Sequence, residues 1–384
     1  MDPRAKPGND DGASNEQNMQ RTKPPFRADH VGSLLRPAAL KQARERRARG
    51  EIDATALEAV EEREIEGIIK KQEAVGLQSV TDGEFRRSWW HLDFLWGFDG
   101  VEKHVMDRGI AFAAVTTRNE GVKVTGKLGF SGNPMIEHFK FLKTHTARTP
   151  KMTIPAPSAL YGRPNPTPID KKIYPTLDKF FDDLGQAYKK AVRALYDAGC
   201  RYLQLDEVFI AMLCDPKYRQ QMKDRGDDPD YLGPLYGDLI NVAISDIPDD
   251  MTVTMHLCRG NYKSTFMGTG GYDAMQEVLF DRIKVAGYFM EYDTDRAGGF
   301  EPLKRLQKGR VGVLGLVTTK TGALEGKDSI KRRIEEAAKF TDIDQLCLSP
   351  QCGFASTEEG NTLADEQQWA KLKMIVEVAQ EVWG

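Results

Sequence analysis

The stretch Leu177–Asp206, LDKFFDDLGQAYKKAVRALYDAGCRYLQLD, holds the unit from which most of the chain is built. A helix-like segment, Leu177–Ala198, leads through a short turn into an apolar run, Tyr202–Asp206, that stops on an acid. The same succession of run, polar turn and helical stretch recurs from Phe26 onward. The runs are Ala28–Gly32, Ser79–Gly83, Met152–Pro155, Tyr202–Asp206, Thr252–His256, Tyr288–Glu291, Gly312–Leu316 and Leu346–Ser349. Between them lie Pro37–Ala74, Leu177–Ala198, Leu232–Ile244, Tyr272–Arg282, Pro302–Gln307 and Lys327–Phe340, and Asp365–Val382 closes the chain. In the first of these, apolar Val60, Ile65, Ile68 and Ile69 alternate with glutamates as one face of a helix would. Strand candidates each followed by a helix predict an α/β fold, a (β/α)₈ barrel. A doubly wound sheet is the competing arrangement, but no G-x-G-x-x-G follows any run.

The chain has 384 residues, more than the roughly 250 of an ordinary barrel. The surplus falls mostly between Glu84 and Lys151, so an insertion is expected at about residues 99–150. Within it Gly121–Phe130, GVKVTGKLGF, alternates like an added hairpin over one end of the barrel. Residues 1–24 carry almost no large apolar side chains and are expected to form a disordered tail, with Met19 a second candidate start. They lack the apolar segment of a signal peptide. A single barrel is expected over 25–384.

A net charge of −3 gives no basic surplus for nucleic acid, and no apolar run is long enough to span a membrane. Five scattered cysteines do not look like a secreted disulfide framework, so a cytoplasmic protein is expected.

In a barrel, the C-terminal ends of the strands converge on one mouth. Here those ends read His30-Val31-Gly32-Ser33, Asp82-Gly83-Glu84, Asp206-Glu207, His256-Leu257-Cys258, Glu291 and Ser349-Pro350-Gln351-Cys352. His256 and Cys258, two apart on an extended chain, point the same way. Imidazole and thiolate on one face suit zinc, and Glu291 and Cys352 complete a four-ligand set from neighbouring strands. Magnesium would want oxygens instead. Cys200, Cys214 and Cys347 read as packing residues. Trp89, Trp90, Phe94, Trp96 and Phe98 are either a stacking platform for a flat ligand or a loop packed on the barrel. Thr318-Thr319-Lys320 reads as a surface loop, and Lys331–Glu336 as a solvated helix face.

With those ends assembled, the chain resembles the catalytic C-terminal barrel of the cobalamin-independent methionine synthases. FRADHVGSLLRP, VTDGEFRRSWW, YLQLDEV, MHLCRGNY, FMEYD and LCLSPQCGFAS carry the resemblance, which covers nearly all of Phe26–Gly384. It is similar above all to single-barrel bacterial proteins of the homocysteine methyltransferase kind. The resemblance implies zinc-dependent methyl transfer from 5-methyltetrahydrofolate, with or without a polyglutamate tail, to homocysteine, forming methionine. It matches His256, Cys258, Glu291 and Cys352 to the zinc ligands. Ser33, with Gly32 beside it, matches the serine that holds the amino-acid carboxylate. Glu84 and Asp206, the candidate catalytic carboxylates, match the acids that grip the amino group.

Three departures concern the methyl donor. The family's Asp-x-His element for proton transfer is replaced by Leu314-Gly315-Leu316-Val317, which leaves His30 and His91 as candidate acids. Pro155-Ala156-Pro157-Ser158 stands where a tryptophan borders the folate, and the N-terminal barrel of the long synthases is missing. Alkylation of another thiol, as in coenzyme M transferases, is the alternative that shares an H-x-C…C site. A metal-free barrel related to uroporphyrinogen decarboxylase is a further one.

Overall fold

The computed structural model describes residues 21–384. The disordered tail expected over residues 1–24 therefore lies, for its first twenty residues, outside the described residues. In chain order the strands are β1 (Ser79–Val80), β2 (Asp99–Val105), β3 (Glu120–Gly129), β4 (Thr149–Pro155), β5 (Tyr202–Glu207), β6 (Thr252–Leu257), β7 (Gly287–Glu291), β8 (Val311–Val317) and β9 (Leu346–Pro350). Seven of them form a curled, all-parallel sheet in the order β1-β4-β5-β6-β7-β8-β9. Strands β5 to β9 are almost wholly buried, as a sheet covered by helices requires. The α/β barrel read from the sequence is the fold observed.

The ring closes less regularly than expected. Ala28–Gly32 is not a full strand: it bridges Leu348 of β9 through Ala28 and reaches β1 through side chains. The Asp29 carboxylate accepts from the backbone N–H groups of Phe26 and His30, and Gly32 turns at φ 132°, so the segment cannot run on as a ladder.

Pro37–Ala74 proves to be two helices, Ala38–Ala48 and Ala54–Val75. Gly50 takes φ 73° between them and Asp53 caps the second by accepting from Ala56 N at 2.8 Å. Tyr272–Arg282 and Pro302–Gln307, expected as helices, are tight and wide turns at Tyr272–Met275, Glu277–Arg282 and Glu301–Arg305. Gly121–Phe130 is only one arm of the added hairpin. It pairs as β3 with β2, antiparallel, and the tip between them folds back over the barrel mouth.

A polar network runs through the barrel interior. Asp29 and Lys151, neither exposed, face each other at 3.3 Å, and Asp29 also accepts from Ser79 Oγ at 2.9 Å and Tyr202 OH at 2.8 Å. Lys151 Nζ donates to His30 O at 2.5 Å and stands 4.0 Å from the Phe289 ring centre. These contacts fix the irregular first segment, and with it Ser33, against β1, β4 and β5.

Candidate active site

Parallel pairing places Asp206 of β5 beside His256 of β6. Cys258 follows at the end of β6, Glu291 ends β7, and Cys352 lies just past β9. One ligand atom from each of His256, Cys258, Glu291 and Cys352 lies within 4.8 Å of the others, and all four residues are buried. The two sulfurs are 3.6 Å apart. Neither ring nitrogen of His256 has a hydrogen-bond partner, although both are buried. An orphaned imidazole is costly inside a protein, and one imidazole, two thiols and a carboxylate are what zinc takes. The residues fit the metal.

The neighbouring Cys258, and then the charge of nearby His256, outweigh burial and hold the Cys352 thiol well below its ordinary value, while Cys258 is pushed up. Burial opposes the charged form of His256, but Cys352, Asp206 and Glu291 outweigh it and raise the ring.

Burial works against the Glu291 carboxylate too, yet Lys320, Arg296, Arg259 and His256 bring it down to about 2. Its Oε2 accepts from Arg296 at 2.9 Å and its Oε1 from Gln351 at 3.4 Å. A carboxylate shared with a guanidinium is the weakest donor of the four. Thr318-Thr319-Lys320 is accordingly not a free surface loop. Thr319 bonds Gln351 Oε1 through both its N and Oγ1, and Thr318 Oγ1 donates to Asp293, which pairs with Arg296. Arg296, Lys320 and Gln351 surround Glu291 but gave no sequence signal beyond their place after β7, β8 and β9.

The two other acids stand next to the cluster. Glu84 sits in a left-handed turn, φ 61°, held by Asp82 Oδ1 accepting from its N–H at 2.8 Å. A non-glycine residue there costs roughly 1–2 kcal/mol, which the surrounding contacts must offset. Its Oε1 accepts from Thr153 at 2.9 Å and Arg87 at 3.2 Å, while the buried Oε2 has no partner. Burial raises Glu84 despite Arg87 and Arg36. Asp206 accepts from Gln204 at 2.7 Å, and burial pushes its carboxyl up to about 7, His256 opposing and Glu84 adding to the rise. Two carboxylates that repel each other, one with an idle oxygen, suit an incoming cation.

Glu84, Asp206, His256, Cys258 and Cys352 line one cleft, partly open to solvent, whereas Glu291 is not among its lining residues. Ser33 contributes from the first segment, and Gly353 lies so close that a Cβ there would meet Ser33 Oγ at 1.9 Å. Gly32 does not line the cleft. Its carbonyl accepts from Thr81 Oγ1 at 2.6 Å and a Cβ would meet Thr153 Cγ2 at 2.7 Å, so it aims Ser33.

The aromatic cluster divides. Trp89 and Trp90 line the cleft, while Phe94 and Phe98 pack in the core and Trp96 donates to Gly121 O of the hairpin at 3.0 Å. Ile110, Phe112 and Thr117 of the hairpin tip form the outer wall. Cys200, Cys214 and Cys347 are buried away from the cleft, their thiols pushed up by burial to about 12, 11 and 12.

Of the candidate acids, His30 is buried off the cleft, and burial beside Lys151 pushes it down to about 4. His91 lines the cleft, its ring 4.4 Å from Trp90's by centres, and burial next to Arg163 keeps it neutral. The segment replacing Asp-x-His is an apolar, buried part of β8. Its Gly315 admits the neighbouring strands closely, since a Cβ would meet Met290 O at 2.7 Å and Gln351 Cα at 2.8 Å. Among the described residues no helix is long and apolar enough to cross a membrane.

Known proteins are similar to this chain in sequence and fold. The Bacillus subtilis protein YxjG is 52% identical over 371 residues, 96% of this chain and 97% of its own. A methionine synthase of Pyrococcus abyssi is 25% identical over 327 residues, 84% of each chain. A crystal structure from Listeria monocytogenes, provisionally named a vitamin-B12-independent methionine synthase, superposes with a TM-score of 0.75 at 42% identity, covering 94% of this chain and 98% of that one. Residues 171–381 match the family described as cobalamin-independent synthase, catalytic domain. The chain that builds this cleft thus belongs to the cobalamin-independent synthase family.

Proposed function

We propose that the protein transfers a methyl group from 5-methyltetrahydrofolate to the homocysteine thiol, forming methionine, with zinc held by His256, Cys258, Glu291 and Cys352. The observation that carries this reading is the buried four-donor cluster with its unpartnered imidazole, set beside two repelling carboxylates. Zinc at that place would supply a deprotonated, nucleophilic thiol at neutral pH, where a free thiol is largely protonated.

The chain's own residues do the rest. Glu84 and Asp206 take the ammonium group of homocysteine, the idle Oε2 of Glu84 facing it and Asp206 losing its proton as the cation arrives. Ser33 takes the carboxylate. Arg296 and Gln351 hold Glu291 so that it yields most easily when the thiol needs room. Trp89 and Trp90 offer the faces on which a flat donor lies, and the hairpin tip keeps water from the outer cleft.

The test is zinc content together with methionine formation from homocysteine and 5-methyltetrahydrofolate without cobalamin. About one zinc per chain with turnover is expected; zinc without turnover of any methylated folate would remove the donor assignment. Glu84→Gln and Asp206→Asn are expected to raise the KM for homocysteine about 10- to 100-fold, the worth of a hydrogen bond to a charged group. A KM unchanged in both would overturn their role.

A further inference from the structure

Four arginines are buried among the described residues: Arg36, Arg87, Arg163 and Arg259. Three have oxygen acceptors. Arg36 donates to Ala355 O at 2.7 Å, Arg87 to Thr153 O at 2.6 Å and Glu84 at 3.2 Å, and Arg259 to Gly270 O and Tyr272 OH, each at 2.7 Å. Arg163 differs. It is 2% exposed, its Nε has no partner, and its guanidinium meets only the Met106 thioether, 3.9 Å from Nη2. No carboxylate stands near enough to support its charge, and burial alone pushes it down, to about 10.

A guanidinium cannot shed its proton at neutral pH, so a buried one without an acceptor is an unmet demand for an anion. Arg163 is also held in place, because its carbonyl accepts from Arg225 at 2.6 Å. It follows β4, on the side of the barrel mouth away from β6, β7 and β9, which carry the metal donors. It lines the same cleft, with Trp90 and His91, and the buried Nδ1 of His91 likewise has no partner.

We propose that Arg163 is the anion-recognition residue of the cleft, binding a carboxylate or phosphate on the second substrate, the methyl donor, while the donor's flat part lies on Trp89 and Trp90. This rests on the reading of the cleft as a methyl-transfer site. The amino-acid substrate is served across the mouth by Ser33, Glu84 and Asp206, which leaves Arg163 for its co-substrate. A planar, bidentate donor fork suits a carboxylate particularly well.

The zinc-loaded full chain, its Arg163→Met and its Arg163→Lys are titrated by tryptophan fluorescence with two probes. One is 5-methyltetrahydrofolate; the other is 5-methyltetrahydropterin, which lacks the aminobenzoylglutamate end. Arg163→Met is expected to bind the folate at least ten-fold more weakly, Arg163→Lys to recover part of that loss, and the pterin to bind all three alike. The KM for homocysteine stays as in the wild type. The ligand-free Arg163→Met protein melts at or above the wild-type temperature, because an unpartnered buried charge has been removed, whereas a structural arginine would cost stability.

Equal folate affinity in wild type and Arg163→Met, an equal loss for the pterin, or a loss that falls on homocysteine each overturn the proposal. Wild type that binds no folate refutes the donor named above, and Arg163 is then judged by glutarate and inorganic phosphate. A rise in melting temperature with either anion, absent in Arg163→Met, sustains the anion site. No rise in the wild type overturns it.

Discussion

Serine in place of Cys258 or Cys352 is expected to empty the metal site and to cut methyl transfer by more than about 100-fold. Loss of an outer partner of a metal ligand alone costs about 10- to 100-fold, and these residues would be ligands themselves. The two sulfurs lie 3.6 Å apart, so each substitution removes a soft donor and also the neighbour against which the other sulfur is set. Glu291→Gln is expected to be milder in zinc retention, because Glu291 already divides its oxygens between Arg296 and Gln351. Cys347→Ala, in the core, should leave zinc stoichiometry intact. The measurement is zinc per chain by atomic absorption beside the rate of methionine formation, with circular dichroism to show the fold retained. A Cys258→Ser protein that keeps one zinc and full activity would refute the ligand set.

Such a site was legible because barrel strands announce their ends. Tyr202–Glu207 sets Leu203 and Leu205 before the acids at its end, Thr252–Leu257 sets Val253 and Met255 before His256, and the two-residue spacing of His256 and Cys258 fixes a shared direction without any knowledge of the tertiary fold. The first segment was legible only as an apolar run, since what bends it is the Asp29 side chain competing for backbone N–H groups. Tyr272–Arg282 has a helix's spacing, but the Tyr272 hydroxyl is drawn inward to accept from Glu291 N at 2.9 Å, and that tertiary contact replaces regular turns. In β2, DGVEKHV, only Val101 is buried, so no strand period shows. Charges whose partners lie far along the chain, such as Asp29 with Lys151, or that have no oxygen acceptor among the described residues, such as Arg163, leave no local pattern.

Asp29→Asn is expected to destabilise the fold by about 3–5 kcal/mol, the cost of leaving a buried charge without its counterion. Lys151 would keep its ammonium against Phe289 and Tyr202 but lose its carboxylate, and burial already pushes it down despite Asp29. That same penalty implies that the pair contributes little net, so Asp29→Asn combined with Lys151→Met should lose less than Asp29→Asn alone. Burial works against the Asp29 carboxylate, but Lys151, His30 and the hydrogen bonds from Tyr202 and His30 outweigh it and hold it below the ordinary aspartate range. A carboxyl lowered by folding contributes stability that is present above its unfolded value and lost as pH falls through its folded one. The gap between wild type and Asp29→Asn is therefore widest near neutrality and narrows in acid. Urea unfolding of the three proteins across that range measures it, and a gap independent of pH, or a double variant weaker than the single, would refute the account. Because Asp29 ties the segment carrying Ser33 to Ser79 and Tyr202, Asp29→Asn should also raise the KM for homocysteine at temperatures where the protein remains folded.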